Sequence, residues 1–270
     1  MTWLVGRRAV AAWSALAALG LGGVSCLGST GGSRFEFDAF VAGLERTSGG
    51  DYTFENDRGF VVTLTTARLH VGAIYLNESL PTSVASDTSC ALAGIYVAEV
   101  QAGVDVDVLD PTLVELVQRG ASTNAHAQTA EVWLSSADID ATSDATVVAF
   151  VEGTATRDGD AYPFRGSITI GANRVVTPTD PALPGAKPIC KQRIVTPIRV
   201  DLTPSEGGSL VMRIDPAGWF GNVDFSKLEQ TDDDPVLFEF RDDDGDAPSR
   251  NLYSGIRANA GVYAIDWHED

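Results

Sequence analysis

Two acidic runs, Asp232-Asp233-Asp234 and Asp242-Asp243-Asp244-Gly245-Asp246, hold the densest group of potential ligands in this 270-residue chain. Asp242, Asp244 and Asp246 alternate as oxygen ligands do in calcium loops, and Gly245 permits a tight turn. The spacing departs from the EF-hand rule, because glycine comes one place early and no glutamate closes the twelfth position. The run reads either as a calcium site or as a solvated acidic loop. The chain has three histidines, His70, His126 and His268. His70, in Leu69-His70-Val71-Gly72, is a candidate metal ligand if another histidine reaches it in space. The plainer reading is a neutral ring hydrogen-bonded at a sheet surface. No HExxH, GxSxG, Walker loop or GxGxxG occurs, and nothing marks a nucleophilic serine. The expectation is a protein without catalytic activity, with calcium as the one candidate cofactor.

The three cysteines concern address and cross-linking. Arg7 and Arg8 precede an apolar run from Ala9 to Leu21, which is too short to span a bilayer comfortably. Small residues follow, Gly22-Gly23-Val24-Ser25, and then Cys26. Residues 1–25 read as an export signal. The small residues before Cys26 resemble a bacterial lipobox, although Gly23 stands where that pattern usually has leucine. The resemblance implies acylation of the Cys26 thiol and cleavage before it. The other reading is ordinary cleavage near Ser25 with a free thiol. Cys90 and Cys190 remain, and an oxidising compartment favours a disulfide between them over two buried thiols.

Charge narrows the partners. The whole chain carries a formal charge of −18. Removing residues 1–25 takes two of the 19 basic side chains and none of the 37 acidic ones, so the net charge moves to about −20. That balance opposes nucleic acid and anionic headgroups. A membrane partner is expected only through the lipid anchor, beside an unidentified protein or small ligand.

The elements that must position these residues read almost entirely as strands. Gly59–Thr66 and Ala67–Leu76 are rich in β-branched residues, and residues 104–108 alternate strictly. Asp158-Gly159 is a two-residue turn signal between alternating runs. Counting from it pairs Ala155 with Tyr162, Gly153 with Phe164, Val151 with Gly166, Ala149 with Ile168 and Val147 with Ile170. Residues 110–120 read as a helix or an extended segment, with Asp110 as cap and Gly120 as stop. Residues 172–188 contain four prolines and read as an irregular connection. Asn222–Leu228 reads as a capped turn, Val236–Phe240 as a strand, Leu252–Ala258 as a short helix and Val262–Trp267 as a final strand.

The stretch Thr66–Leu76, the entry Arg58–Leu64 and the close Gly261–Trp267 resemble uncharacterised exported bacterial lipoproteins. They share a distant likeness with the periplasmic methanobactin-associated copper-protein family, which implies copper as a further candidate metal. The sequence thus predicts a signal peptide over 1–25, a flexible tether over 26–33 and one domain over 34–270. That domain is expected to be all-β, an antiparallel β-sandwich (immunoglobulin-like or related) with one or two short helices and a closed barrel as runner-up. The expected setting is the bacterial cell envelope, exported and lipid-anchored.

Overall fold

Asp158 and Gly159 both take left-handed backbone, with φ of 56° and 94°. The chain reverses there between strands β10 (Val147–Arg157) and β11 (Asp160–Thr169). Left-handed residues at both central positions match the twist of the flanking strands. This is seen in a computed structural model, which describes residues 33–46, 51–79, 94–101, 103–135, 146–170, 193–232, 235–242 and 245–269. Four expected pairs form, Ala155–Tyr162, Gly153–Phe164, Val151–Gly166 and Ala149–Ile168. The fifth does not. An irregularity between Val147 and Ala149 shifts the register, and Val147 meets Thr169 instead of Ile170. As a result Val148 is wholly buried and Val147 stays 49% exposed.

The hairpin belongs to a seven-stranded sheet. Its order is β14 (Glu229–Gln230), β15 (Phe238–Phe240), β11, β10, β3 (Val61–Val71) and β2 (Tyr52–Glu55), with β6 (Val104–Asp107) also on β3. Along β3 the buried residues Val62, Leu64, Ala67, Leu69 and Val71 follow the strand period, with one irregularity where β10 pairs across. At Gly72 the chain leaves this sheet and enters the other as β4 (Ala73–Asn77). Gly72 N donates to Trp133 O at 2.7 Å. A Cβ at position 72 would lie 2.0 Å from Ser135 O, so the corner admits only glycine.

The second sheet has nine strands. Its path runs β12 (Ile194–Leu202), β9 (Ala127–Trp133), β4, β5 (Tyr96–Val100), β8 (Gly120–Thr123), β1 (Arg34–Gly43), β13 (Ser209–Ile214) and β16 (Tyr263–His268). The short strand β7 (Val114–Glu115) also pairs with β1. The ends of the path, β12 and β16, lie against each other, so this sheet curls almost into a barrel. One continuous core draws on both sheets. It also takes Trp219, Phe220 and Phe225 from two 3₁₀ turns, and Leu252, Tyr253 and Ile256 from the helix α1 (Ala247–Ile256).

The all-β expectation holds, with one α-helix among the described residues. Two expectations need correction, and one open reading resolves to its extended alternative. Pairing is not uniformly antiparallel, because β1–β13 and β11–β15 are parallel. Residues 110–120 form no helix: Asp110 accepts from Thr112 N at 2.8 Å in a turn, and β7 follows on the edge of β1. Leu116 alone of that stretch's apolar residues is buried, while Val117 is 88% exposed. A helix would have needed a stripe of buried positions. The C-terminal helix starts at Ala247 rather than Leu252, because Asp246 caps it and Pro248 sits in its first turn. The connection over 172–188 lies outside the described residues. Among those described, no helix is long and apolar enough to cross a membrane.

Candidate functional site

Cys26, Cys90, Cys190 and Asp244 lie outside the described residues. Asp242 accepts from Thr169 N at 3.0 Å and also from the Thr169 hydroxyl, tying its loop to the end of β11. Asp246 accepts from Ser249 N at 3.0 Å and from the Ser249 hydroxyl, which caps α1. The two carboxylates therefore do separate structural work on separate elements. His70, on β3, sits opposite Asp105 on β6, with Nδ1 and Oδ1 2.7 Å apart. His126 lies 3.2 Å from Thr203 Oγ1 and 3.4 Å from Asp201. Among the described residues, no three His, Cys, Asp or Glu side chains group to hold a metal ion.

Two features escaped the sequence reading. The first is a buried carboxyl on the far side of the nine-stranded sheet. Strands β4 and β9 bury both faces. Ile74, Leu76, Ala130 and Val132 enter the main core, while Ala73, Tyr75, Trp133 and Ile194 form a second cluster with Tyr96 packed against it. Tyr75 lies 5.3 Å from the Tyr96 ring and 5.2 Å from the Trp133 ring. Glu131 pairs directly with Tyr75 across β4 and β9 and is fully buried. Asn77 Nδ2 donates to it at 3.3 Å and Tyr96 OH at 3.4 Å. Burial raises the Glu131 carboxyl above its ordinary value, against the opposing pull of Trp133, Tyr96 and Asn77. Burial likewise raises the Tyr96 hydroxyl, helped by the neighbouring Glu131 charge. Such a perturbed group marks a functional site when a cleft reaches it. Here the side chains of Asn77, Thr129 and Glu131 have no exposure, so the carboxyl itself is closed off among the described residues. The signal was present as a lone glutamate inside the apolar run Ala130–Leu134.

The second feature is a cleft of about 880 Å³ along the seam between β12 and β16. Its walls follow the strand alternation. Val200, Leu202, Ile265 and Trp267 turn inward onto the core and give the cleft a partly apolar base. Arg199, Asp201 and Asp266 are exposed and form the lips, with Glu269 at one end. The Trp267 ring packs edge-on against Phe37 at 5.1 Å, and its Nε1 donates to Ser205 Oγ at 3.1 Å. Three carboxylates against one guanidinium make the cleft acidic. Chemically it suits an elongated ligand with an apolar body and positive charge at its margin.

No protein-family model, curated protein or solved structure matches the chain.

Proposed function

We propose that the protein is a lipid-anchored, non-enzymatic binding module of the bacterial cell envelope, which takes its ligand in the β12–β16 seam. The observation that carries the binding role is the open cleft of about 880 Å³ between two strands, with Trp267 in its wall. A cleft that joins partly buried apolar side chains to charged lips is a place for a ligand. The body is read as a two-sheet sandwich whose larger sheet is nearly closed, supported by the single core shared between both sheets. The two parallel pairs set it apart from an all-antiparallel immunoglobulin-like arrangement. The anchor rests on Cys26 following the apolar run, and the exported setting carries with it a Cys90–Cys190 disulfide.

Two measurements test this. Cys26→Ser should move the protein from the membrane fraction to the soluble fraction, and intact mass should show acyl chains on the parent alone. Unchanged fractionation with no acyl mass rules out the anchor. Nile red, a neutral apolar dye, should bind the mature protein at one site with energy transfer from tryptophan. Ala264→Trp, which places a bulky ring on the exposed lip, should weaken it. A mature protein that takes up no dye lacks the binding site.

A further inference from the structure

We propose that the β12–β16 seam accepts an extended peptide segment of a partner protein, with alternating apolar and basic residues, as an added strand. The proposal rests on the reading of the seam as the ligand site and names the ligand's chemistry.

The first support is the state of the two edges. Among the described residues, β12 pairs only with β9 and β16 only with β13, and no ladder crosses the seam although the strands touch. Each therefore turns backbone N–H and C=O groups toward the gap, which is a template for a further strand.

Direction is the second support. Between β12 and β16 the path takes six antiparallel steps and one parallel step. An even number of reversals leaves β12 and β16 pointing the same way. One guest strand can then run antiparallel to both, which is the more stable ladder on each side.

Size is the third. A five-residue strand is about 17 Å long, takes about 4.8 Å of sheet width and is about 10 Å thick, or roughly 820 Å³. The cleft holds about 880 Å³. Full insertion requires the strands to stand about 9.6 Å apart, twice the interstrand spacing. The strands now approach more closely than that, so a guest must part them; no ladder crosses the seam, and the bonds that resist are those of Ser205 with Trp267 and Glu269.

The pattern of the walls sets the guest's sequence. Its inward side chains meet Val200, Leu202, Ile265 and Trp267, and so must be apolar. Its outward side chains lie along Arg199 and Asp201 on β12 and Ala264 and Asp266 on β16, where carboxylates outnumber the one guanidinium and favour lysine or arginine over glutamate.

The probe is a capped pentapeptide, Val-Lys-Val-Lys-Val, titrated into the mature protein and read by tryptophan fluorescence. Three results are expected. The Glu-for-Lys peptide binds at least about tenfold more weakly, a difference set by cross-strand charge pairs. A peptide of the same composition with both lysines adjacent also binds about tenfold more weakly, because alternation is lost. Alternate N-methylation of the backbone abolishes binding, because the ladder is lost. Asp266→Lys, an exposed change, should reverse the preference between the Lys and Glu peptides. Equal binding of the N-methylated or the non-alternating peptide shows charge attraction alone and overturns the proposal. Dye binding without peptide binding overturns the proposal and leaves the ligand site standing; absence of both removes the site as well.

Discussion

Asn77 and Glu131 meet between neighbouring strands with both side chains wholly buried, the amide nitrogen 3.3 Å from the carboxyl oxygen. A carboxyl whose value in the fold is raised stabilises the protein at low pH. That contribution is complete below its ordinary value of 4.5 and is lost as pH rises through the raised value. Glu131→Gln keeps the shape and removes the charge. Its melting temperature should exceed the parent's at pH 8, and the gap should close as pH falls toward 4. A variant that is less stable than the parent at pH 8 would contradict the raised value.

The hairpin irregularity sorts two adjacent valines. Val148→Ala should cost about 1–3 kcal/mol, since it empties a filled position. Val147→Ala should stay within about 0.5 kcal/mol. Urea denaturation of both variants measures this. Had the regular register held, Val147 would be the costly one.

Asn56 is a four-way staple. Its Nδ2 donates to Phe220 O at 3.0 Å and to Val223 O at 2.9 Å, and its Oδ1 accepts from Arg58 N and Phe60 N at 3.0 Å each. It fixes the β2–β3 turn to the 3₁₀ segment that delivers Phe220 and Phe225 to the core. Asn56→Ala should cost about 2–4 kcal/mol, because it strands buried backbone groups. Asn56→Asp should also be costly, since a carboxylate cannot donate to two carbonyls. A loss below 1 kcal/mol in denaturant would show that the turn is held by other contacts.

Asp246 serves as a helix cap. Asp246→Ala should lower stability by about 1 kcal/mol with chelator present, because the bond to Ser249 N needs no cation. Thermal melts in chelator and in millimolar calcium check this. A loss that appears only in calcium would return Asp246 to the role of a metal ligand.

What was legible in the sequence was local. Asp158-Gly159 sets its hairpin register because two left-handed residues admit few alternatives, and alternation then decides which side faces in. The shift beside Val148 was hidden, since it answers to how β10 must curve rather than to its neighbours in sequence. Residues 110–120 stayed open between helix and strand because a cap, an early proline and a glycine stop are weak signals. The edge of β1, far away in sequence, took the segment as a strand instead. The seam was invisible for the same reason. Its two walls come from residues near 200 and near 265, and only the closure of the larger sheet brings them face to face. Glu131 left a trace, but its partners Asn77 and Tyr96 come from other strands.

The parallel pairing of β1 with β13 also sets a timetable. Arg213 Nη1 reaches Gly43 O across 170 residues, and β13 in turn is covered by β16 close to residue 270. Strand β1 must wait for β13, some 170 residues later, before that edge is filled. A chain emerging from N-terminus to C-terminus can make the Asp158-Gly159 hairpin at once, since its pairs are neighbours. It can finish the larger sheet only once residues 263–268 have been made. Such late closure gives any truncation before Tyr263 an open β13 edge on which copies can stack.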